Sequence, residues 1–197
     1  MSHLKDVIAL RNKVLRDKHL DKEETLLFLS IFNDKITSET QSKDVANYFI
    51  SKANSIGRKI PNGQLQNMTY LAHFIYLGFY NKPLFKEDIM SWDFGPVVVN
   101  LYDYLRKYGS NDVQEIIEED LGSVVFSREG VQVLEKVWTT FYMDYFIKFG
   151  HNAELELRKL ITQENSPWDI SFNQNKDRYS IISHRSLAKH YSKWIKI

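Results

Sequence analysis

Cysteine is absent from this sequence of 197 residues. Its absence excludes a disulfide framework, a zinc site built on thiolates and a cysteine nucleophile, and it is typical of the reducing cytoplasm. Long hydrophobic runs are also lacking. No stretch approaches the roughly 18 apolar residues of a membrane span, and the N-terminus has no signal-peptide pattern. We therefore predict a cytoplasmic protein with no membrane partner.

An excess of charge of either sign is lacking as well. Lys and Arg total 26, Asp and Glu total 25, and the formal net charge is +1. The field of the whole molecule therefore gives no general attraction to nucleic acid or anionic lipid. Hydrophobic residues at 43% and aromatic residues at 14% indicate a packed globular protein. The length suits one domain, and we predict an N-terminal extension at 1–41 before a domain at 42–197.

The common catalytic motifs are missing too. The sequence has no His-Glu-x-x-His, no Gly-x-Ser-x-Gly and no P-loop. The histidines most worth testing are His73 and His151, which could act with Asp93 as a base and its orienting group. Sequence spacing gives no support for that convergence. His184 and His190 are six residues apart, which does not place them on one helical face as a metal pair. We predict a protein that is not an enzyme and binds no cofactor or metal.

Helical periodicity is what the sequence has in abundance. Residues 65–79 carry apolar side chains at helical steps and predict a buried helix. Residues 128–149 repeat the pattern and predict the longest helix, with Ser127 at its start and Gly150 at its end. These two helices are expected to form the centre of the fold.

Shorter signals complete the predicted fold. Ser42 and Asn62 are suited to cap helices, and residues 123–126 form a short β-type run. The fold class we predict is mainly α, with roughly six to eight helices in a single compact helical domain that has a small β element and an N-terminal helical extension.

The N-terminal extension contains an unusual apolar run. Residues 4–17 have one apolar face. Asp21 and Glu24 form a plausible capping box before residues 25–32, which are apolar nearly all round. Such a helix must be covered by the domain itself or by another chain.

One stretch of the chain predicts a tight, preset turn. A large aromatic residue, Trp92, is followed by Phe94, Gly95 and Pro96. Glycine takes backbone angles closed to other residues, and proline suits the first position of a helix. We therefore expect a turn that holds Trp92 and Phe94 at a defined angle to a helix that begins at Pro96.

The order of these pieces resembles the Panacea domain, the SocA-like antitoxin family that is also described for phage-associated GepA-like proteins. The signature positions are Leu65, Gln66, Tyr70, Trp92, Gly95, Pro96, Val97, Tyr102 and Trp168, together with Ala72-His73 and Pro83-Leu84-Phe85. The sequence departs from the family pattern at Asn67, where Lys is usual, and at Ser91, where Ala is usual.

The resemblance implies an antitoxin of bacterial or phage origin. Such a protein binds and neutralises a cognate protein toxin encoded next to it, and some members act as adaptors that present the toxin to a protease such as ClpXP. The residues we expect to contact the partner are Phe85, Trp92, Asp93, Phe94, Leu26 and Phe28. Among the tryptophans, Trp92 is expected to be exposed because it precedes the turn.

A basic C-terminal stretch supports an alternative function. Arg185, Lys189, Lys193 and Lys196 lie within the last residues of the chain. Charge runs of this kind are usually solvated surface, but they are also typical of contacts with nucleic acid. The alternative is a helical nucleic-acid-binding regulator that uses this helix.

Overall fold

The computed structural model describes residues 40–117, 126–174 and 179–194. The N-terminal extension therefore lies outside the described residues, except for its last two positions. Among the described residues no helix has both the length and the apolar character needed to cross a lipid bilayer.

The helices and strands follow one another in this order: α1 Ser42–Ser55, β1 Ile60–Pro61, α2 Asn62–Tyr80, β2 Ile89–Trp92, β3 Gly95–Val98, α3 Val99–Leu105, β4 Asp112–Val113, α4 Arg128–Val137, α5 Tyr145–Phe149, α6 Ala153–Ile161, α7 Pro167–Asp169 and α8 His184–Trp194. Short 3-10 segments occur at Arg106–Tyr108 and Gly150–Asn152, and π-helical segments at Trp138–Asp144 and Ile170–Gln174. The prediction of a mainly helical fold with a small β element is confirmed.

Helix α2 is the centre of the core. Its side chains are buried nearly all round, including the polar Thr69 and His73. Helices α1, α4, α6 and α8 all pack against it. The approach of α8 is close at Gly78, where an added Cβ would lie 2.0 Å from the ring of Tyr191. The predicted buried helix at 65–79 is therefore present and extends to both sides of that range.

The ends of α2 differ from the predicted capping. Pro61, not Asn62, occupies the N-cap position. The side-chain amide of Asn62 instead donates to the carbonyl oxygens of Leu105, at 3.1 Å, and Gly109, at 2.7 Å. These bonds tie the start of α2 to the loop after α3. At the other end Asn81 takes a left-handed conformation and its N–H donates to Leu77, an ordinary helix stop.

The predicted helix at 128–149 is interrupted in the middle. Ser127 caps α4, since its Oγ accepts from the N–H of Gly130 at 3.0 Å. The π-helical segment Trp138–Asp144 then joins α4 to α5. Within this segment the Trp138 and Tyr142 rings are stacked at 4.2 Å.

Two small antiparallel sheets lie beside the helices. One pairs β1 with β4, and the other is the β2–β3 hairpin. The strand predicted at 123–126 falls mostly outside the described residues, and Phe126 itself is not in a strand. The hairpin contains the Gly-Pro segment and organises the candidate site.

Candidate partner-binding surface

The Gly-Pro segment forms a hairpin rather than a turn into a helix. Trp92 pairs with Gly95 and Ser91 pairs with Pro96, so Asp93 and Phe94 form the tip. Gly95 has a φ of 126°, a conformation that residues with a Cβ rarely adopt. The prediction that Pro96 begins a helix is wrong, because Pro96 lies inside β3 and α3 begins at Val99.

A third segment, residues 179–182, lies along the free edge of β2. The N–H of Ser91 donates to Ser180 at 2.9 Å, and the N–H of Tyr179 donates to the carbonyl of Ser91 at 3.0 Å. The N–H of Ile182 donates to Ile89 at 2.7 Å, and Met90 and Ile181 form an antiparallel bridge. Residues 179–182 thus extend the two-stranded hairpin on the β2 side.

The free edge of β3 is occupied by a proline and by a glutamine side chain. The backbone groups of Ser91 point towards residues 179–182, so Ser91 and Pro96 form a pair without mutual hydrogen bonds. The nitrogen of Pro96 therefore faces outward, where a missing N–H removes a donor from the edge. Two residues on, the side chain of Gln66 accepts from the N–H of Val98 at 3.4 Å and donates to the carbonyl of Val98 at 3.5 Å. Two signature residues thus protect this edge from pairing with another strand.

The inner face of the hairpin is buried against the helices. It consists of Ile89, Ser91, Pro96 and Val98. The hydroxyl of Ser91 lies 3.2 Å from that of Ser180 and 3.3 Å from that of Ser171, and the last two are 2.7 Å apart. At Ser91, where the family usually has Ala, this chain therefore has a polar link between the hairpin and the segment 179–182.

Trp168 fixes the hairpin from below. Its indole N–H donates to the carbonyl of Trp92 at 2.8 Å, and its ring is stacked on Phe172 at 4.7 Å. Ser166 and Pro167 start the short helix α7 that positions the ring, because the Ser166 hydroxyl accepts from the N–H of Asp169 at 3.1 Å.

The outer face of the hairpin is apolar and partly open to solvent. We define the outer face as Met90, Trp92, Val97, Tyr179 and Ile181, which lie on the side opposite the inner face. Ile181 is 56% exposed and Tyr179 is 51% exposed. At the tip Phe94 is 77% exposed. Isolated apolar side chains on a surface are ordinary, but a contiguous group on rigid strands is typical of an interaction site.

The aromatic rings of the outer face hold one another in place. The Trp92 ring lies 4.7 Å from that of Tyr102 and 6.1 Å from that of Tyr179, both edge to face. The Tyr179 hydroxyl donates to Asp93 at 2.9 Å. These contacts limit the rotamers of the rings.

The predicted partner contacts differ in their exposure to solvent. Asp93 and Phe94 are exposed at the tip. Trp92 is only half-buried rather than exposed, because its ring packs between Tyr102 and Tyr179. Phe85 is 2% exposed and packs on His73, so its assignment as a surface contact is wrong. Leu26 and Phe28 lie outside the described residues.

The remaining signature residues lie in the core or on the hairpin and the helix that follows it. Leu65 and Tyr70 are buried in the core, Val97 lies on the outer face, and Tyr102 packs on Trp92. Sequence reasoning missed Met90, Tyr179 and Ile181. The sequence Ile89-Met90-Ser91-Trp92 has no strict alternation of apolar and polar residues that would have placed Met90 on this face, and Tyr179 and Ile181 are distant in sequence.

The histidines do not form the catalytic set considered from the sequence. His73 is fully buried and its ring lies 4.7 Å from that of His184, whereas His151 is exposed. Burial, and then the nearby His184, lower the pKa of His73 to about 3, so it is neutral at pH 7. Asp93 is bonded to Tyr179 instead. Within residues 40–117, 126–174 and 179–194 no group of three or more His, Asp or Glu side chains is placed to hold a metal ion.

The basic C-terminal helix is described only in part. Arg185 and Lys189 are exposed on α8, while the side chain of Lys193 and all of Lys196 lie outside the described part of the chain. Helix α8 packs on α2 through Leu187 and Tyr191. Nucleic-acid binding by this helix stays a prediction.

Comparison with models of protein families assigns the chain to one family. The model of the family described as antitoxin SocA-like, Panacea domain, matches residues 65–169. That range is more than half of the chain and includes α2 from Leu65 onward, the whole hairpin and Trp168. This chain therefore belongs to the SocA-like antitoxin family of Panacea domains. Searches of curated proteins and of solved structures gave no match.

Proposed function

We propose that this chain is an antitoxin that neutralises a cognate protein toxin by binding it at the outer face and the tip of the hairpin. The observation that carries the proposal is an apolar, aromatic surface on strands whose two edges are both closed. Membership of the antitoxin family supports a toxin as the partner.

Closed edges favour recognition through side chains. A partner strand finds no free row of backbone donors and acceptors along β2, which is paired with residues 179–182, or along β3, where Pro96 and Gln66 occupy the edge. Binding must then rely on the rings of Trp92, Tyr179 and Phe94. Such aromatic anchors often contribute about 2 kcal/mol or more at the centre of an interface.

The surface is also preorganised for binding. Trp168 and the three-serine cluster hold β2 and the segment 179–182 together before any partner arrives. The ring contacts of Trp92 restrict its motion in the free protein. Less conformational entropy is therefore lost on association, which strengthens binding for a given contact area.

The proposed role is non-catalytic. The family is one of antitoxins, and His73, one of the two histidines considered as a catalytic base, is buried beside His184 and neutral at pH 7, while His151 and Asp93 are exposed. Direct binding of the toxin is sufficient for neutralisation.

Delivery to a protease such as ClpXP is a second possible step, since the resemblance implies it for some members. It would require a second surface beside the outer face. Measuring the lifetime of the toxin in cells with and without the protease separates the two routes, because direct inhibition leaves that lifetime unchanged.

The experiment uses the protein encoded by the neighbouring open reading frame as the candidate toxin. Ile181→Asp places a charge on the outer face, and Phe94→Ala removes the exposed ring at the tip. We expect Ile181→Asp to weaken the Kd by about 30-fold, which corresponds to roughly 2 kcal/mol, and Phe94→Ala to weaken it by a similar or smaller factor.

A matched control is available on α5. Ile147 is 78% exposed, so Ile147→Asp adds the same charge at another exposed isoleucine. It should leave unchanged both the Kd and the ability of the chain to restore growth to cells that express the candidate toxin. If Ile181→Asp and Phe94→Ala retain a cooperative thermal transition and neutralise as well as this control, the outer face is not the toxin-binding surface.

A further inference from the structure

We infer that the apolar run at residues 26–32 folds back onto the outer face of the hairpin in the free protein. The run contains Leu26, Leu27, Phe28, Leu29, Ser30, Ile31 and Phe32, so six of its seven residues are apolar. The outer face offers an apolar surface of matching character, with the rings of Trp92 and Tyr179 beside the apolar side chains of Met90, Val97 and Ile181. Burial of both surfaces removes apolar area from water, which is favourable.

The described chain begins close to the hairpin. Both the N–H and the hydroxyl of Ser42 donate to the same carboxylate oxygen of Glu87, at 2.7 Å and 2.8 Å. Glu87 lies two residues before β2. Lys43, the next residue, lies over the ring of Tyr104 in α3, and Tyr102 of the same helix packs on Trp92. The N-terminal segment therefore leaves the domain beside the elements that frame the outer face.

The length of the connection is sufficient. Seven residues separate Phe32 from Thr40, the first described residue, and the eight steps between these two residues span about 26 Å in an extended chain. The hairpin extends seven residues from Glu87 to its tip at Phe94, which is about 23 Å for an extended strand. The run can thus reach any part of the outer face without moving the domain.

Other undescribed segments fit less well. Residues 118–125 begin with Glu118, Glu119 and Asp120, and both flanks of this segment contact α1, since Ile117 is bonded to Asn47 and Phe126 packs on Tyr48. Residues 175–178 are all polar, and residues 195–197 are only three. A segment tethered on the same chain also has an effective concentration of about millimolar, which favours it over a second copy.

This inference concerns the same surface as the proposed function, but it does not require that a toxin binds there. Its test accordingly contains no toxin. The absence of cysteine from the chain makes engineered thiols unique reporters.

The first measurement is the rate at which a maleimide labels Ile181→Cys in the full chain. We expect the rate to rise at least tenfold when Phe28→Asp is added, because a charge in the run removes the cover. Asn33→Asp adds the same charge one residue beyond the run and should leave the rate unchanged. A second reporter, Ile147→Cys on α5, should label at the same rate with and without Phe28→Asp.

The second measurement identifies the occupant. Under oxidation the pair Phe28→Cys and Ile181→Cys should give a cross-linked monomer, whereas Phe28→Cys with Ile147→Cys should not. Equal labelling rates for Phe28→Asp and Asn33→Asp would overturn the inference. A cross-link that joins two chains would also overturn it, since the cover would then be a second copy.

Discussion

The two faces of the hairpin share the same strands but are stabilised in different ways. On the inner face Ser91 is bonded to Ser180 and Ser171, and the carbonyl of Trp92 accepts from Trp168. On the outer face the contacts are between rings, and the Tyr179–Asp93 hydrogen bond lies at its exposed margin. We therefore expect the stability of the hairpin to depend on the inner face and the strand edges, and the proposed function uses the outer face for recognition.

Trp92 contributes both to the support of the hairpin and to the outer face. Its backbone carbonyl is part of the inner support, whereas its ring is part of the outer face. The other signature residues divide more clearly: Gln66, Pro96 and Trp168 support the strands, and Val97 faces outward. A substitution of Trp92 therefore tests both sides at once, which is why Phe94 and Ile181 are better probes of binding.

The largest effect should come from removing the inner support. Trp168→Ala deletes a nearly buried ring and the 2.8 Å bond to Trp92, and we expect it to lower the free energy of unfolding by about 3–5 kcal/mol. Chemical denaturation measures the loss. Trp168→Phe retains most of the stacked ring and should lose only about 1–3 kcal/mol, the cost of an unpaired buried carbonyl. Equal stability of Trp168→Ala and the native chain would contradict the assigned role.

The second effect concerns the core beneath the hairpin, where His73 packs on Phe85. Its pKa is lowered from 6.5 to about 3 in the folded state, so between these values the unfolded chain binds more protons. The stability that comes from a neutral His73 is complete above pH 6.5 and is lost as the pH falls towards 3. From pH 6.5 to pH 5 this group should remove about 2 kcal/mol of stability.

Denaturation at several pH values tests this dependence. His73→Leu should flatten the slope between pH 6.5 and pH 5, even if the variant differs in stability at pH 7. His151→Leu changes an exposed histidine and serves as the control. If the slope of His73→Leu equals that of the native chain, His73 is not the group responsible.

The smallest effect should come from restoring the usual residue of the family at Ser91. Ser91→Ala removes one hydroxyl from the serine cluster, while Ser171 and Ser180 can still bond to each other at 2.7 Å. We expect a loss of about 1 kcal/mol in the free energy of unfolding and no change in toxin binding. Ser55→Ala, at an exposed position, should cost less. A marked loss of toxin binding by Ser91→Ala without a loss of stability would break the separation of the two faces.

Local patterns were sufficient to predict much of the helical fold. The apolar periodicity of residues 65–79 identified α2, and the Ser127 cap and Gly150 located the ends of the α4 to α5 region. The π-helical segment was not predictable, because its side chains also have helical spacing. Pro96 was misassigned for a related reason: proline suits the first turn of a helix and an outward-facing strand position equally well.

Most of the candidate site could not be predicted because its contacts are distant in sequence. Nothing near Trp92 indicates that Tyr179 lies beside it or that Trp168 binds its carbonyl. Likewise, the position of His73 beside His184 rather than His151 follows from the packing of α8 on α2. Phe94 is exposed at the tip of the hairpin, as a candidate partner contact must be, but its role in binding stays a prediction.

The segment 179–182, which supplies Tyr179 and Ile181, lies beyond the family-matched range of 65–169. One side of the outer face is thus supplied by residues outside the family-matched range, whereas the strands that support it lie inside that range. Exchange of the last part of the coding sequence between related genes would replace that side while Gln66, Pro96 and Trp168 stayed in place. Under the proposed function, such an exchange would change the surface that the partner contacts and leave the support of the hairpin intact.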